Sequence, residues 1–321
     1  MKTRKLGKTN LQVPPIMLGG NVYGWTLDET ESLRQLDVAF DAGLNFIDTA
    51  DVYSRWVPGH TGGESETIIG KWFAASGKRA KVVLATKVGM DMGEGRVGLA
   101  TAYIPKAVED SLRRLQTDYI DLYQSHKDDE KTPLEETLGA YQKLIEQGKV
   151  RYIGASNYTG ARLREAMETS KRPGMAAYST LQPLYNLMER ADYERDLAPV
   201  VAEYELAVVP YFSLAAGFLT GKYRKAEDAA GKARGGMVGK YLNERGFRVL
   251  EALDAVAARL KATPASVALA WLMAKPGVTP IASATSDAQL KDLIAAGDLT
   301  LDAAAMAELN AASAPAAAVA N

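Results

Sequence analysis

The sequence has no cysteine, which excludes disulfides, iron–sulfur clusters and cysteine-ligated zinc. Histidine is nearly as scarce: His60 and His126 are the only two, too few for a His-rich metal site, and no metal is expected. Charge of one sign is not in excess either. The formal net charge is -1, which gives no general pull toward nucleic acid or an anionic membrane, so basic residues are judged site by site, and no tail of like charge occurs. Long apolar runs are missing: the most apolar region, Leu197 to Leu219, is interrupted by Glu203 and Glu205 and reads as a helix followed by a strand, not a membrane span. The first residues, Met1-Lys2-Thr3-Arg4-Lys5-Leu6-Gly7, lack the apolar stretch of a signal peptide, so a cytoplasmic protein is the expectation.

What remains is 321 residues of which 47% are hydrophobic, enough for a large core. That length suits one α/β barrel with insertions. The informative stretch is Gly43-Leu44-Asn45-Phe46-Ile47-Asp48-Thr49-Ala50-Asp51-Val52-Tyr53, an apolar run ending in a carboxylate and, five residues on, a phenol. Leu44, Phe46 and Ile47 read as a buried strand. In a parallel α/β architecture the strand C-termini form one face, so Asp48 and Tyr53 are expected in one mouth. An isolated Asp at this place commonly caps a turn, but the arrangement recurs. Val82 to Lys87, Tyr119 to His126 and Tyr152 to Asn157 are strand-like runs ending in polar residues, each followed by a helical pattern. Strand ends fall roughly 26 to 39 residues apart, the length one βα unit needs.

Residues 1 to 18 predict a hairpin turning at Gly7-Lys8-Thr9-Asn10 and a first strand at Ile16-Met17-Leu18, ended by Gly19-Gly20-Asn21. Helical periodicity covers Thr30 to Ala42, and Glu64-Ser65-Glu66 opens the next helix after the Gly59-His60-Thr61-Gly62-Gly63 loop. Gly93-Glu94-Gly95-Arg96-Val97-Gly98 is a literal GxGxxG, but it opens no helix and Asp118 begins a strand, so a Rossmann site is rejected in favour of a mobile loop beside the mouth. Thr132-Pro133-Leu134-Glu135 reads as a capping box with Pro at the first helical position. Tyr178 to Gln182 is read as the sixth strand, Leu206 to Tyr211 as the seventh, and Thr279 to Ala282 as the eighth. Between the last two lies a long basic, Gly-rich connection, Gly217 to Tyr241, either a solvated loop or a segment that folds over a phosphorylated ligand. Helices over Ser286 to Ala296 and Asp302 to Ala312 complete the pattern, with an Ala-rich tail over 313–321 expected to fray. The fold expected is a single (β/α)8 TIM barrel over residues 1–312, with an N-terminal β-hairpin and extra helices near the C-terminus.

At this point Asp48, Tyr53, Lys87 in Ala85-Thr86-Lys87 and His126 in Gln124-Ser125-His126 resemble the catalytic tetrad of the aldo-keto reductase family. The likeness continues through Gly63-Glu64-Ser65-Glu66, Gly154-Ala155-Ser156-Asn157, Leu181-Gln182-Pro183, Pro210-Tyr211-Phe212 and Gly217-Phe218-Leu219-Thr220-Gly221-Lys222, over nearly the whole chain. It implies reduction of aldehydes or ketones, or the reverse oxidation of alcohols, by hydride transfer with NADP(H), NAD(H) being possible. It assigns Tyr53 as acid and His126 as the residue orienting the substrate oxygen. It places Ser156, Asn157 and Gln182 on the nicotinamide carboxamide, Tyr211 on its ring, and Leu214, Gly217 and Lys222 at the pyrophosphate. Gly20, Asn21, Asp48, Phe212, Ser283, Thr285 and Gln289 are implied as further cofactor contacts. The basic residues expected at the adenosine end are missing from Ser283-Ala284-Thr285-Ser286 and Gln289, which weakens discrimination against NADH.

The chemistry of the four residues stands beside the resemblance. A phenol of pKa about 10 is a weak acid at neutral pH, and a lysine about 4 Å away at an effective dielectric near 20 lowers it by at most about three units, against desolvation. Asp48 is expected to hold Lys87 charged. Plainer readings exist for each residue: His126 as a satisfied core histidine, Ser156-Asn157 as a helix cap, Tyr211 as a core aromatic. Two other functions fit the same barrel, a nucleotide-binding regulatory subunit resembling potassium-channel β subunits and a barrel hydrolase or isomerase. Tyr23, Trp25, Trp56, Met90 and Met92 are expected to shape the mouth, suiting apolar or aromatic carbonyls. The sequence leaves the oligomeric state open.

Overall fold

A computed structural model describes residues 1–315. Strands β1 (Arg4–Lys5) and β2 (Gln12–Val13) form the antiparallel hairpin. Eight parallel strands follow: β3 (Met17–Gly19), β4 (Phe46–Asp48), β5 (Val83–Val88), β6 (Ile120–Ser125), β7 (Val150–Ser156), β8 (Tyr178–Gln182), β9 (Ala207–Val208) and β10 (Ile281–Ala282). They run in the spatial order β10-β3-β4-β5-β6-β7-β8-β9. The ring closes through Val208, which pairs with Val278, donates to the Gly277 carbonyl at 2.9 Å and accepts from Thr279 N–H at 2.7 Å. The fold is a (β/α)8 barrel, as expected.

Alternation along the strands sorts side chains into two cores. Met17, Phe46, Ala85 and Leu122 face inward and pack with Leu6, Leu11 and Val13 of the hairpin, so the hairpin plugs the N-terminal end of the barrel. Their neighbours Leu18, Ile47, Leu84 and Tyr123 belong to the larger core shared with the helices. Two residues further along the same inward parity come Asp48, Lys87 and Gln124. Asp48 is in register with Ala85, and Lys87 with Gln124, so one layer above the apolar plug the barrel lining becomes polar.

Helices α1 (Glu29–Asp41), α2 (Glu64–Ser76), α3 (Ile104–Leu115), α4 (Leu134–Glu146), α5 (Gly160–Thr169) and α6 (Ala198–Tyr204) fill the connections. After β9 come α7 (Gly235–Val238), α8 (Glu244–Leu260) and α9 (Pro264–Met273), and after β10 come α10 (Asp287–Ala296) and α11 (Ala303–Ala312). α1 begins on a complete capping box from Asp28 and Glu31, and α11 on the Asp302 carboxylate, which accepts from Ala305 N–H at 2.7 Å.

Several expectations need correction. The box at Thr132 does not form: Pro133 itself is the N-cap, Thr132 Oγ1 donates to Asp129 instead at 2.7 Å, and Glu135 pairs with Arg172. The seventh strand is regular only over Ala207–Val208, because Pro210 has no N–H to continue the ladder, though Val209 and Tyr211 still donate to Leu181 and Pro183. The connection from Gly217 to Tyr241 is not structureless. It contains 3-10 turns at Ala215–Thr220, Ala226–Ala229 and Gly239–Tyr241 besides α7. The Gly93–Gly98 stretch is a loop, as expected, with Arg96 N–H on Gly93 and Gly98 N–H on Gly89, and it lies against Arg55, next to the cavity-lining Trp56. Ser313 is buried and accepts from Arg190 at 2.8 Å, while the rest of the expected tail, residues 316–321, lies outside the described residues.

Candidate active site

The C-terminal face of the barrel opens into a cavity of about 890 Å³. At its floor the Lys87 ammonium, fully buried, donates to Asp48 Oδ2 at 2.7 Å, to the Thr49 carbonyl at 2.7 Å and to the Tyr53 hydroxyl at 2.8 Å. The phenol in turn donates to Asp48 Oδ2 at 3.1 Å. All three donors of Lys87 are thereby satisfied, which a buried cation requires. Asp48 Oδ1 accepts from Gln182 at 3.0 Å and from Gln124 at 3.4 Å. Gln124 was not singled out from sequence; its position two residues before His126, on the inward parity, is the signal that would have found it.

Burial lowers the pKa of Lys87, with Asp48 opposing the shift. The Tyr53 phenol is held well above its ordinary value by burial and then by the Asp48 carboxylate. The expectation that Lys87 brings the phenol down is therefore reversed in the free protein: desolvation and the carboxylate win. His126 lies beside Tyr53, with ring centroids 6.0 Å apart. Its pKa is pushed well below the usual imidazole range by burial and by Lys87, so the ring is neutral. Its Nδ1 is buried without a hydrogen-bond partner among the described residues.

Around this floor the structure brings together most of the expected residues. Asn157 donates to the His126 carbonyl at 2.8 Å and accepts from the Tyr211 hydroxyl at 2.9 Å, and Ser156 donates to the Gln182 carbonyl at 2.8 Å. On the opposite side Ser283 donates to Asn21 Oδ1 at 2.6 Å, and Gln289 Oε1 accepts from Thr285 N–H at 2.8 Å. Phe212, Leu214, Gly217 and Lys222 complete the lining. Gly20 does not line the cavity: its N–H donates to the Asp48 carbonyl at 2.7 Å, and it supports the strand end from behind. Of the expected mouth residues Trp56 and Met90 line the cavity, with Trp25 edge-on to Trp56. Tyr23 and Met92 are instead buried in packing, Tyr23 with its hydroxyl on Gln35.

One feature escaped the sequence, and a second was left open by it. The backbone is left-handed at Asn157, Phe212, Ala215 and Ala216, non-glycine residues for which that conformation costs about 1–3 kcal/mol, and three of the four line the cavity. Lys232 and Arg234, from the long connection, also line it. Burial and then the neighbouring Arg234 and Lys232 depress the pKa of Lys222. Three neighbouring cations, Lys222, Lys232 and Arg234, with no bonded carboxylate among the described residues suit a polyanion such as a pyrophosphate. The cavity volume, this cationic wall and the polar rim near His126 therefore fit a dinucleotide. Among the described residues no cluster of three or more acidic or histidine side chains is arranged to hold a metal ion.

Fold and site together define a (β/α)8 protein with a buried Asp–Lys–Tyr constellation and an anion-ready cavity at the strand C-termini. The Aldo/keto reductase family model matches residues 15–314, and the chain belongs to that family. It is 38% identical over 319 residues to the uncharacterized oxidoreductase YrpG of Bacillus subtilis, covering 97% of this chain and 95% of that protein. The aldo-keto reductase YhdN of the same organism is 36% identical over 266 residues, 81% of this chain and 76% of the relative. A probable voltage-gated potassium channel subunit beta from Oryza sativa is 31% identical over 308 residues, 93% and 92% of the two chains.

Proposed function

We propose that the protein is an NAD(P)H-dependent carbonyl reductase, or alcohol dehydrogenase in the reverse direction, with Tyr53 as general acid. The observation that carries this reading is the hydrogen-bonded Asp48–Lys87–Tyr53 set beneath a neutral His126. A bound nicotinamide dinucleotide would supply hydride to the carbonyl carbon. Ser156, Asn157, Gln182 and Tyr211 would hold its nicotinamide end, Lys222, Lys232 and Arg234 its phosphates, and Ser283, Thr285 and Gln289 its adenosine end.

The raised pKa of Tyr53 is compatible with this work. An alkoxide is about as basic as hydroxide, so it takes the proton even from a phenol held above its ordinary value. A high value also keeps the proton on Tyr53 until the alkoxide forms. Lys87 stabilises the phenolate that is left, and Asp48 keeps Lys87 charged. His126, neutral, offers an N–H to orient the carbonyl oxygen and does not compete as an acid. NADP(H) is the cofactor the family favours, and NAD(H) is accepted as well, because among the described residues no cation lines the adenosine end to meet a 2′-phosphate.

The test is a carbonyl and alcohol panel assayed with each of the four nicotinamide forms; absence of turnover with every pair would overturn the reading. A second reading, a nucleotide-binding regulatory subunit, is favoured by the similarity to the Oryza sativa protein. It predicts tight dinucleotide binding with negligible oxidation of NADPH by test aldehydes, so the same panel separates the two. No helix among the described residues is long and apolar enough to cross a membrane.

A further inference from the structure

Behind the tetrad, between the barrel wall and the helices, lies a second set of buried ionisable groups. Glu66 of α2 is fully buried and accepts from Thr86 Oγ1 and, at 2.7 Å, from Arg114 Nε of α3. Asp51 is 2% exposed, and its backbone N–H is 3.4 Å from the Lys87 carbonyl. Neither carboxyl oxygen of Asp51 has a hydrogen-bond partner among the described residues, and the fully buried Tyr123 hydroxyl has none either. In this cluster each buried cation already has a bonded carboxylate, Asp48 on Lys87 and Glu66 on Arg114. Asp51 is the carboxyl left over, and a buried carboxylate without donors is strongly disfavoured.

We propose that Asp51 is held as the neutral carboxylic acid and is a positioning residue for proton donation by Tyr53, its ionisation switching off carbonyl reduction. This rests on the reading of Tyr53 as the acid. When the Tyr53 O–H bond breaks and the alcohol O–H bond forms, a negative charge stays on the phenol oxygen until solvent returns a proton. A neutral Asp51 leaves that charge with Lys87 as its partner. An ionised Asp51 adds repulsion, and it is among the groups that raise the Tyr53 pKa.

The groups that face Asp51 come from every side: Glu66 on α2, Arg114 on α3 with Tyr103 just before it, Lys87 on β5, Tyr123 on β6, Tyr141 on α4, and Tyr53 on its own loop. Burial and then Glu66 push the Asp51 carboxyl up to about 8, against the pull of Arg114, of the adjacent Val52 N–H, which does not reach hydrogen-bond geometry, and of Lys87. The site is outside the cavity lining, so a bound cofactor does not touch it.

Asp51→Asn, a neutral isostere, tests this in two independent ways. A carboxyl whose folded pKa lies above its ordinary 3.8 favours folding fully below that value and loses this contribution as pH rises to about 8, because the unfolded chain sheds its proton first. The melting temperature of Asp51→Asn relative to wild type should therefore climb across that window and level off above it. A flat difference overturns the proposal whatever the activity. In the second arm, wild-type reduction falls about tenfold per pH unit once Asp51 ionises, whereas Asp51→Asn keeps its rate through that range. Glu66→Gln removes the carboxylate that raises Asp51 and frees Arg114 to pair with it, so the fall should move to lower pH. Identical alkaline limbs in wild type and Asp51→Asn overturn the positioning role. If wild type reduces no carbonyl at any pH, the functional reading fails and that role with it, while the melting series still decides whether Asp51 is neutral.

Discussion

Tyr53 and Lys87 make separable contributions, because one carries a transferable proton and the other a buried charge. Tyr53→Phe deletes the proton and leaves the cavity wall almost unchanged, so kcat should fall by about 10²- to 10⁴-fold with dinucleotide binding nearly intact. Retention of more than a tenth of wild-type kcat, measured with the best substrate, would remove Tyr53 from its role. Lys87→Met should lose activity as well, but it also strands Asp48, which is only 2% exposed, without its cation. Breaking a buried pair from one side costs about 3–5 kcal/mol, so this variant should unfold at clearly lower denaturant than Tyr53→Phe. Adding Asp48→Asn should recover stability without recovering turnover. At the adenosine end, Ser283→Lys with Gln289→Arg supplies the missing cations. One charge-assisted hydrogen bond is worth about 1.5–3 kcal/mol, so preference for NADP(H) over NAD(H) should grow at least about tenfold, and shrink at high salt if the contact is exposed. Equal tightening of both cofactors would show that these side chains do not meet the 2′-phosphate.

At the scale of elements, the site depends on helices that hold strand ends in place without touching the cavity. Helix α2 supplies Ser65, which donates to the Gly20 carbonyl at 2.8 Å, and Glu66, which anchors α3 through Arg114. The two helices approach so closely at Gly70 that an added Cβ would stand 2.0 Å from the Arg114 carbonyl oxygen. Gly70→Ala must therefore push α3 away. Overpacking of this kind typically costs about 1–3 kcal/mol, and because the obstacle is backbone the upper end is expected. Equilibrium denaturation should show the loss, and a neutral outcome would mean that the helices separate at no energetic cost. The same logic explains Gly154 in β7, where a Cβ would meet Thr180 Oγ1 at 2.3 Å and crowd Gln124, the residue that donates to Asp48.

For the whole molecule, the cavity joins residues from β4 and the loop after β3 at one end of the chain to β10 and α10 at the other, with the basic connection between β9 and α8 contributing Lys232 and Arg234. A dinucleotide bound there bridges these parts and binds only the folded barrel. At a free concentration of 100 times Kd it should stabilise the fold by about 2.7 kcal/mol. Thermal melts with increasing NADPH and NADH read this directly, and the larger shift identifies the preferred cofactor. No shift with either would argue that the cavity takes a different ligand.

The barrel was legible because each strand is a short apolar run whose end is marked by a polar residue at fixed parity. Phe46 and Asp48, and Ala85 and Lys87, carry this information locally, and a resemblance in motif order joined Asp48 and Lys87 with Tyr53 and His126 into a tetrad. Most of the longer helices followed from periodicity and caps in the same way, but α7, inside the Gly-rich connection, did not, nor did the cap at Thr132, where Asp129 three residues upstream competes for the hydroxyl. Tertiary structure alone decided the rest. The direction of the Tyr53 shift depends on how completely water is excluded and on which oxygen of Asp48 the phenol meets. The burial of Tyr23 depends on its packing against α1, that of Met92 on the loop at Gly62, and the approach of Lys232 and Arg234 on the path of a long connection whose sequence has no periodicity. Asp51 is the sharpest case: its sequence neighbours mark it as part of the active strand end, but only the three-dimensional pairing of Lys87 with Asp48 and Arg114 with Glu66 leaves its carboxyl without a partner among the described residues.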